Sequence, residues 1–255
     1  MRLRSLISTG LFAAAAVCVA GTASAQSKVV VSHDEWFTGA GTFNTNEKQF
    51  VTNATQWFGL GSGSTILINS TNSFLANAGF TSYLQGLGYT VTTDASAASF
   101  GGYGAVFVEG NPTFNANGLA DYVRGGGNVF YIGGTGTGGS SAEAAYSNVF
   151  LNQFGLSFDS NYNGLGTINT AGFDTQGPFG SALFTGVSSV YANNGNNVLN
   201  SSAIAGVTNQ VFYTNDQAGV FGAAAVTTPE PSSLALLGTG LIGLVPLVRR
   251  RKRNS

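Results

Sequence analysis

The segment Gly125-Gly126-Gly127-Asn128-Val129-Phe130-Tyr131-Ile132-Gly133-Gly134 decides the fold. Its β-branched and aromatic residues, bounded by glycines on both sides, predict a short strand over 128–132 buried on both faces. Helical patterns flank it: 117–124 before it, closed by the triple glycine, and 141–154 after it. A buried strand between two helices is one unit of a parallel sheet, because parallel strands need crossover connections that cover both faces.

Working outward, the same alternation recurs. Residues 28–32 form a β-branched run that ends in the polar loop His33-Asp34-Glu35-Trp36. Phe50, Val51, Ala54, Trp57 and Phe58 fall at helical spacing within 46–58, and 59–64 then breaks the helix. A second strand is expected over 65–69, a helix over 73–87 ending at Gly88, and a third strand near an edge over 89–93. The fourth, over 105–108, opens into Glu109-Gly110-Asn111-Pro112. The expected class is α/β: an open, mostly parallel sheet with helices on both faces. Beyond Phe158 the chain turns Gly/Asn-rich. Its clearest strands, 210–214 and 219–223, read as extra C-terminal β strands of the same domain.

The two ends carry different information. Arg2 and Arg4 precede an uncharged apolar stretch from Leu6 to Ala20, and Thr22-Ala23-Ser24-Ala25 supplies the small residues of a cleavage site. This predicts a signal peptide over 1–25, cut by signal peptidase between Ala25 and Gln26. At the other end Pro229-Glu230-Pro231 leads into an apolar run from Ser232 to Val248, then Arg249-Arg250-Arg251-Lys252-Arg253. As a helix the run spans about 25 Å, a short transmembrane helix for a hydrocarbon layer of roughly 30 Å. The basic cluster would hold its C-terminus on the cytoplasmic side.

These three parts in order resemble the PEP-CTERM sorting signal. The resemblance implies recognition by an exosortase, a membrane protease-transpeptidase. It also implies export to the cell envelope, cell surface or extracellular matrix, and association with exopolysaccharide or biofilm. The C-terminal helix is then a transient anchor in the inner membrane. The expected organisation is a signal peptide at 1–25, an α/β domain at 26–226 and a sorting signal at 227–255.

The whole-chain charge of −1 hides the character of the domain. Between residues 26 and 228 there are three basic residues against ten acidic ones, a net charge of −7. Nothing there neutralises phosphates, so nucleic acid is excluded as a partner. The single cysteine, Cys18, lies in the signal segment. The domain therefore has no disulfide, thiolate nucleophile or Cys metal site.

The order of elements, the Gly-rich approach to 128–134 and the late Ala182-Leu183-Phe184-Thr185-Gly186-Val187 segment resemble the class I glutamine amidotransferase-like domain. That resemblance implies a flavodoxin-type topology, a nucleophilic Cys at a strand-to-helix elbow and a late His-x-Glu pair. Here the elbow reads Gly133-Gly134-Thr135-Gly136 and no histidine follows His33.

Sites on open parallel sheets lie beyond the carboxyl ends of the strands. His33, Asp34, Glu35, Asn69, Glu109, Asn111 and Thr135 are the residues expected on that rim. His33, Asp34, Glu35 and Glu109 could form an acid-base set or a weak divalent-cation site, or simply a hydrogen-bonded loop. The run from Gly134 to Gly139 matches G-x-G-x-x-G, with Asp159 at a ribose-binding distance, although 37 glycines produce such spacings by chance. Neither cofactor nor metal is expected. The expected role is a non-catalytic surface or matrix protein. The alternatives are a secreted hydrolase of amidotransferase-like fold, and a sugar or small-ligand module at the Thr135 loop, with Trp36 among the aromatics able to stack on sugar rings.

Overall fold

The computed structural model describes residues 26–173 and 177–227. Strand β5 (Asn128–Ile132) lies at the centre of a seven-stranded sheet. β1 (Gln26–Ser32) and β4 (Ala105–Glu109) flank it in parallel; β2 (Thr65–Ser70) and the edge strand β3 (Thr90–Thr93) extend the parallel side. On the other side, β11 (Gly219–Thr227) pairs antiparallel with β1, and β10 (Val207–Tyr213) pairs antiparallel with β11.

Alternation along the strands sends side chains into two cores. Val30, Ile66, Ile68, Phe107 and Phe130 face helices α1 (Thr45–Trp57), α2 (Ala78–Gly86) and α5 (Gly180–Phe184). Val29, Val31, Leu67, Val106 and Tyr131 face α3 (Ala116–Arg124) and α4 (Ser140–Leu151). The first core is built of rings. Phe50 of α1 lies 4.6 Å from Phe221, 5.1 Å from Phe184 and 5.3 Å from Phe37, centroid to centroid. Helices thus cover both faces, as the alternating pattern requires.

Two expectations need correction. The parallel strands run β3-β2-β4-β5-β1, whereas the flavodoxin-type order is 2-1-3-4-5. Here the first strand occupies the outer parallel place that the fifth holds there. Its free edge is sealed by β11, in a register running from Gln26↔Thr227 to Ser32↔Phe221. The second correction concerns the helix expected over 73–87, which begins only at Ala78. Asn77 caps it by accepting from the Phe80 amide at 2.9 Å, and Asn72 accepts from the Phe74 amide at 2.9 Å. These local side-chain bonds hold the preceding residues in turns.

Two small antiparallel sheets complete the domain. One pairs β6 (Leu156–Asn163) with β9 (Gly195–Asn200), and the other pairs β7 (Gly166–Asn169) with β8 (Ser189–Ala192). Among the described residues no helix is long and apolar enough to cross a membrane. The expected signal peptide, Pro229-Glu230-Pro231, the apolar span and the basic cluster Arg249–Arg253 lie outside the described residues.

Removing the Phe50 ring empties the centre of the first core without offering another side chain to fill it. Phe50→Ala should cost about 3–5 kcal/mol, read as a lower urea midpoint at unchanged slope.

Candidate functional site

The carboxyl ends of β1, β2, β4 and β5 meet on one rim. Beyond the end of β1, three consecutive polar side chains diverge. His33 is fully buried. Gly195 packs on it so closely that a Cβ there would lie 2.7 Å from its Cδ2. Neither ring nitrogen has a hydrogen-bond partner within the described residues. Burial pushes the imidazole down to about 3, a shift that the neighbouring Asn163 amide only partly opposes, so the ring is neutral at physiological pH.

Asp34 turns the other way. Its carboxylate caps a 3-10 turn over Glu35–Thr38 by accepting from Trp36 N at 3.1 Å. It also accepts from the amides of Asn193 and Asn194, which tethers the loop between β8 and β9. Burial raises its pKa against the pull of those amides.

Glu35 is buried and accepts from the Asn72 amide. Its carboxyl is pushed up to about 7, first by burial and further by Asp34 and Glu143, while Asn72 opposes the shift. Glu109 is fully buried. One of its oxygens accepts from Leu75 N at 2.7 Å and Ser70 Oγ at 3.4 Å, and the other has no partner among the described residues. Burial holds its pKa well above the ordinary carboxyl range, and Glu35 and Glu143 add to that. Among the described residues the recorded ion pair is Arg124–Asp121, an exposed contact at 3.4 Å, so the buried carboxyls have no cation to offset their burial.

Thr135 is half-buried in the turn after β5 and bonds to Glu143 of α4. The Thr135 amide reaches both carboxylate oxygens at 3.1 Å, and its hydroxyl reaches one at 3.1 Å. Tyr162 donates to the same carboxylate at 2.6 Å. The Thr135 amide of the glycine-rich turn is thus committed to the chain's own carboxylate. Asp159 likewise accepts from Asn197 N at 3.0 Å and Asn197 Nδ2 at 2.8 Å, which ties β6 to β9.

The crevice between β2 and β4, where the direction of the connections reverses, is filled by the chain itself. Asn111 donates to Asn69 at 2.8 Å, Thr71 donates to Gly110 O, and Leu75 is fully buried. His33, Glu109 and Thr135 are therefore not joined by any hydrogen bond. Among the described residues no group of three or more His, Cys, Asp or Glu is arranged to hold a metal ion.

What the rim does present is aromatic. Trp36 is 36 % exposed, with its ring 5.1 Å from Phe74 and 6.4 Å from Tyr191. Its backbone is pinned from both sides: Asp34 holds its amide, and its carbonyl accepts from Gly39 N and Thr42 Oγ1. The Glu35–Asn72 pair lies beside this platform, on the residues next to Trp36 and two before Phe74. Sequence reasoning missed Glu143 and Asn72. The signal for Glu143 is its place in the first turn of the helix after a glycine-rich loop, where a carboxylate is favoured. For Asn72 there is no local signal, because its partner Glu35 is 37 positions away.

Residues 227–253 match the PEP-CTERM protein-sorting motif. The motif implies an exported chain, processed by the membrane protease exosortase and sent toward the cell envelope or surface. No curated protein and no solved structure matches the chain.

The Glu35 carboxyl ties folding to pH. Its folded pKa lies above the unfolded value, so the folded state holds the proton more tightly and loses stability as pH rises from about 4.5 through about 7. Buried His33 acts in the opposite sense between about 6.5 and about 3, which makes the comparison with a variant necessary. The melting midpoint of the natural protein, measured against Glu35→Gln, should fall across pH 4.5–7. A difference that stays constant with pH would contradict the assignment.

Proposed function

We propose that the chain is a non-catalytic surface or matrix protein whose domain contacts exopolysaccharide through the Trp36 platform. The observation that carries this reading is a partly exposed tryptophan on a pinned turn, flanked by Phe74 and Tyr191, with a carboxyl–amide pair alongside. An aromatic face with adjacent planar polar groups suits the apolar face and hydroxyl rim of a sugar ring. The net charge of −7 over residues 26–228 favours a neutral glycan over an acidic one.

The buried polar groups support a scaffold role. Asp34, Glu47 and Glu143 spend their carboxylates on backbone amides of loops and helix starts: Asn194 N for Asp34, Tyr191 N for Glu47 and Thr135 N for Glu143. A second reading, a secreted hydrolase, draws on one observation: Glu35, at about 7, stands in the range of a general acid beside the same platform.

The two readings separate on one pair of variants. Trp36→Ala should weaken retention on a neutral polysaccharide by about tenfold, a change typical of an aromatic anchor, with the fold intact by circular dichroism. Under the non-catalytic reading, no reducing ends appear on incubation with that polysaccharide; release that is abolished by Glu35→Gln would establish the hydrolase instead. Separately, alanine at Pro229, Glu230 and Pro231 should leave the precursor unprocessed and change its distribution between cells and medium.

A further inference from the structure

The last strand of the domain and the sorting motif overlap. β11 ends at Thr227, and the motif match begins at Thr227. This residue is the partner of Gln26 in the antiparallel ladder, and its amide donates to Gly206 O at 3.0 Å. Its hydroxyl donates to the same carbonyl at 3.0 Å. Directly upstream, Val226 is paired on both sides, with Ser27 of β1 and with Val207 of β10. Ala223, Ala224 and Ala225 are buried at the same time in the two cores that flank the sheet.

Only Thr228 separates Thr227 from Pro229. Fully extended, those two steps reach about 7 Å. A folded unit of some 200 residues has a radius of gyration of about 16 Å. A protease that takes its substrate as an extended segment therefore meets the sheet almost at once on the upstream side, where the backbone donors and acceptors it needs are already paired.

Resting on the exosortase-processing reading, we propose that tail processing is gated by the folded domain. The cut requires the end of β11 to fray from Gln26–Ser27 and from Gly206–Val207, so processing runs at the rate set by that opening. The feature that makes this gate workable is its composition. Thr227 is already exposed, so fraying it with Val226 uncovers one valine and breaks a few backbone bonds. The phenylalanine that anchors the strand, Phe221, lies further in and pairs with Ser32. The end can open while the domain stays folded. The gate also brings the two ends of the domain together, since Thr227 pairs with Gln26, the first residue of the expected mature chain.

The test uses the full precursor in its exporting host, followed by pulse-chase and by the mass of the product. Three forms are compared: the natural chain, one with Gly-Ser-Gly-Ser-Gly-Ser inserted between Thr227 and Thr228, and one with Pro229, Glu230 and Pro231 all changed to Ala. The proposal predicts that the insertion speeds precursor loss by about tenfold, equivalent to removing about 1.4 kcal/mol of opening. Limited proteolysis of the inserted form should show the same protected domain. Processing of the inserted form at the natural rate or slower, with the alanine form blocked, would overturn the gate and leave exosortase recognition intact. Processing of the alanine form at the natural rate would overturn the recognition reading, and the gate with it.

Discussion

The pairing of β11 with β1 is the contact on which the rest of the structure depends. Without it, β1 would be an exposed edge of a parallel sheet, with unpaired backbone groups running from Gln26 to Ser32. With it, the strand that begins the domain and the strand that ends it lie side by side, register fixed over seven residues, and β10 becomes the outer edge. The glycine and alanine content of β11 serves that position. A Cβ at Gly219 would collide with the Val198 carbonyl at 1.9 Å, and one at Gly222 would lie 2.8 Å from the Val198 side chain, so the strand is small where β9 crosses it.

The same economy governs the rim. The domain has almost no cations, and its buried carboxyls are held by backbone amides, asparagines and hydroxyls instead of ion pairs. Such bonds stabilise loops that carry little apolar surface of their own. Glu35 and Glu109 sit above the ordinary carboxyl range because burial outweighs the few hydrogen bonds they accept and no cation stands beside them. Raised carboxyl pKa values are a mark of catalytic sites; here they arise first from burial and then from neighbouring carboxyls. The exposed chemistry of the rim is left to Trp36 and its neighbours.

Much of this is legible in the sequence, for identifiable reasons. The five parallel strands and helices α1, α3 and α4 announce themselves through β-branched runs, helical spacing and glycine stops. β3 reads as an edge because it is short and threonine-rich. The strand order is not legible: which strand β1 lies beside is decided by its ladder with β11, whose partners are 189 to 201 positions apart in the chain. The start of α2 escapes periodicity because the competition is local and polar, with Asn72 and Asn77 holding turns that an apolar pattern does not register. His33, Asp34 and Glu35 look like a cluster because they are adjacent. Consecutive residues leaving a strand point in different directions, and the structure sends one under Gly195, one to the Asn193–Asn194 amides and one to Asn72.

In the gate proposed above, β11 is an integral strand up to the residue where the sorting motif starts and frays only at its last two positions. Amide hydrogen exchange along residues 219–227 tests it most directly. Protection at the level of the whole domain is predicted from Val220 to Ala225, with a sharp loss at Val226 and Thr227. Uniformly fast exchange along the strand would contradict it, and so would protection at Thr227 as strong as that at Ala223.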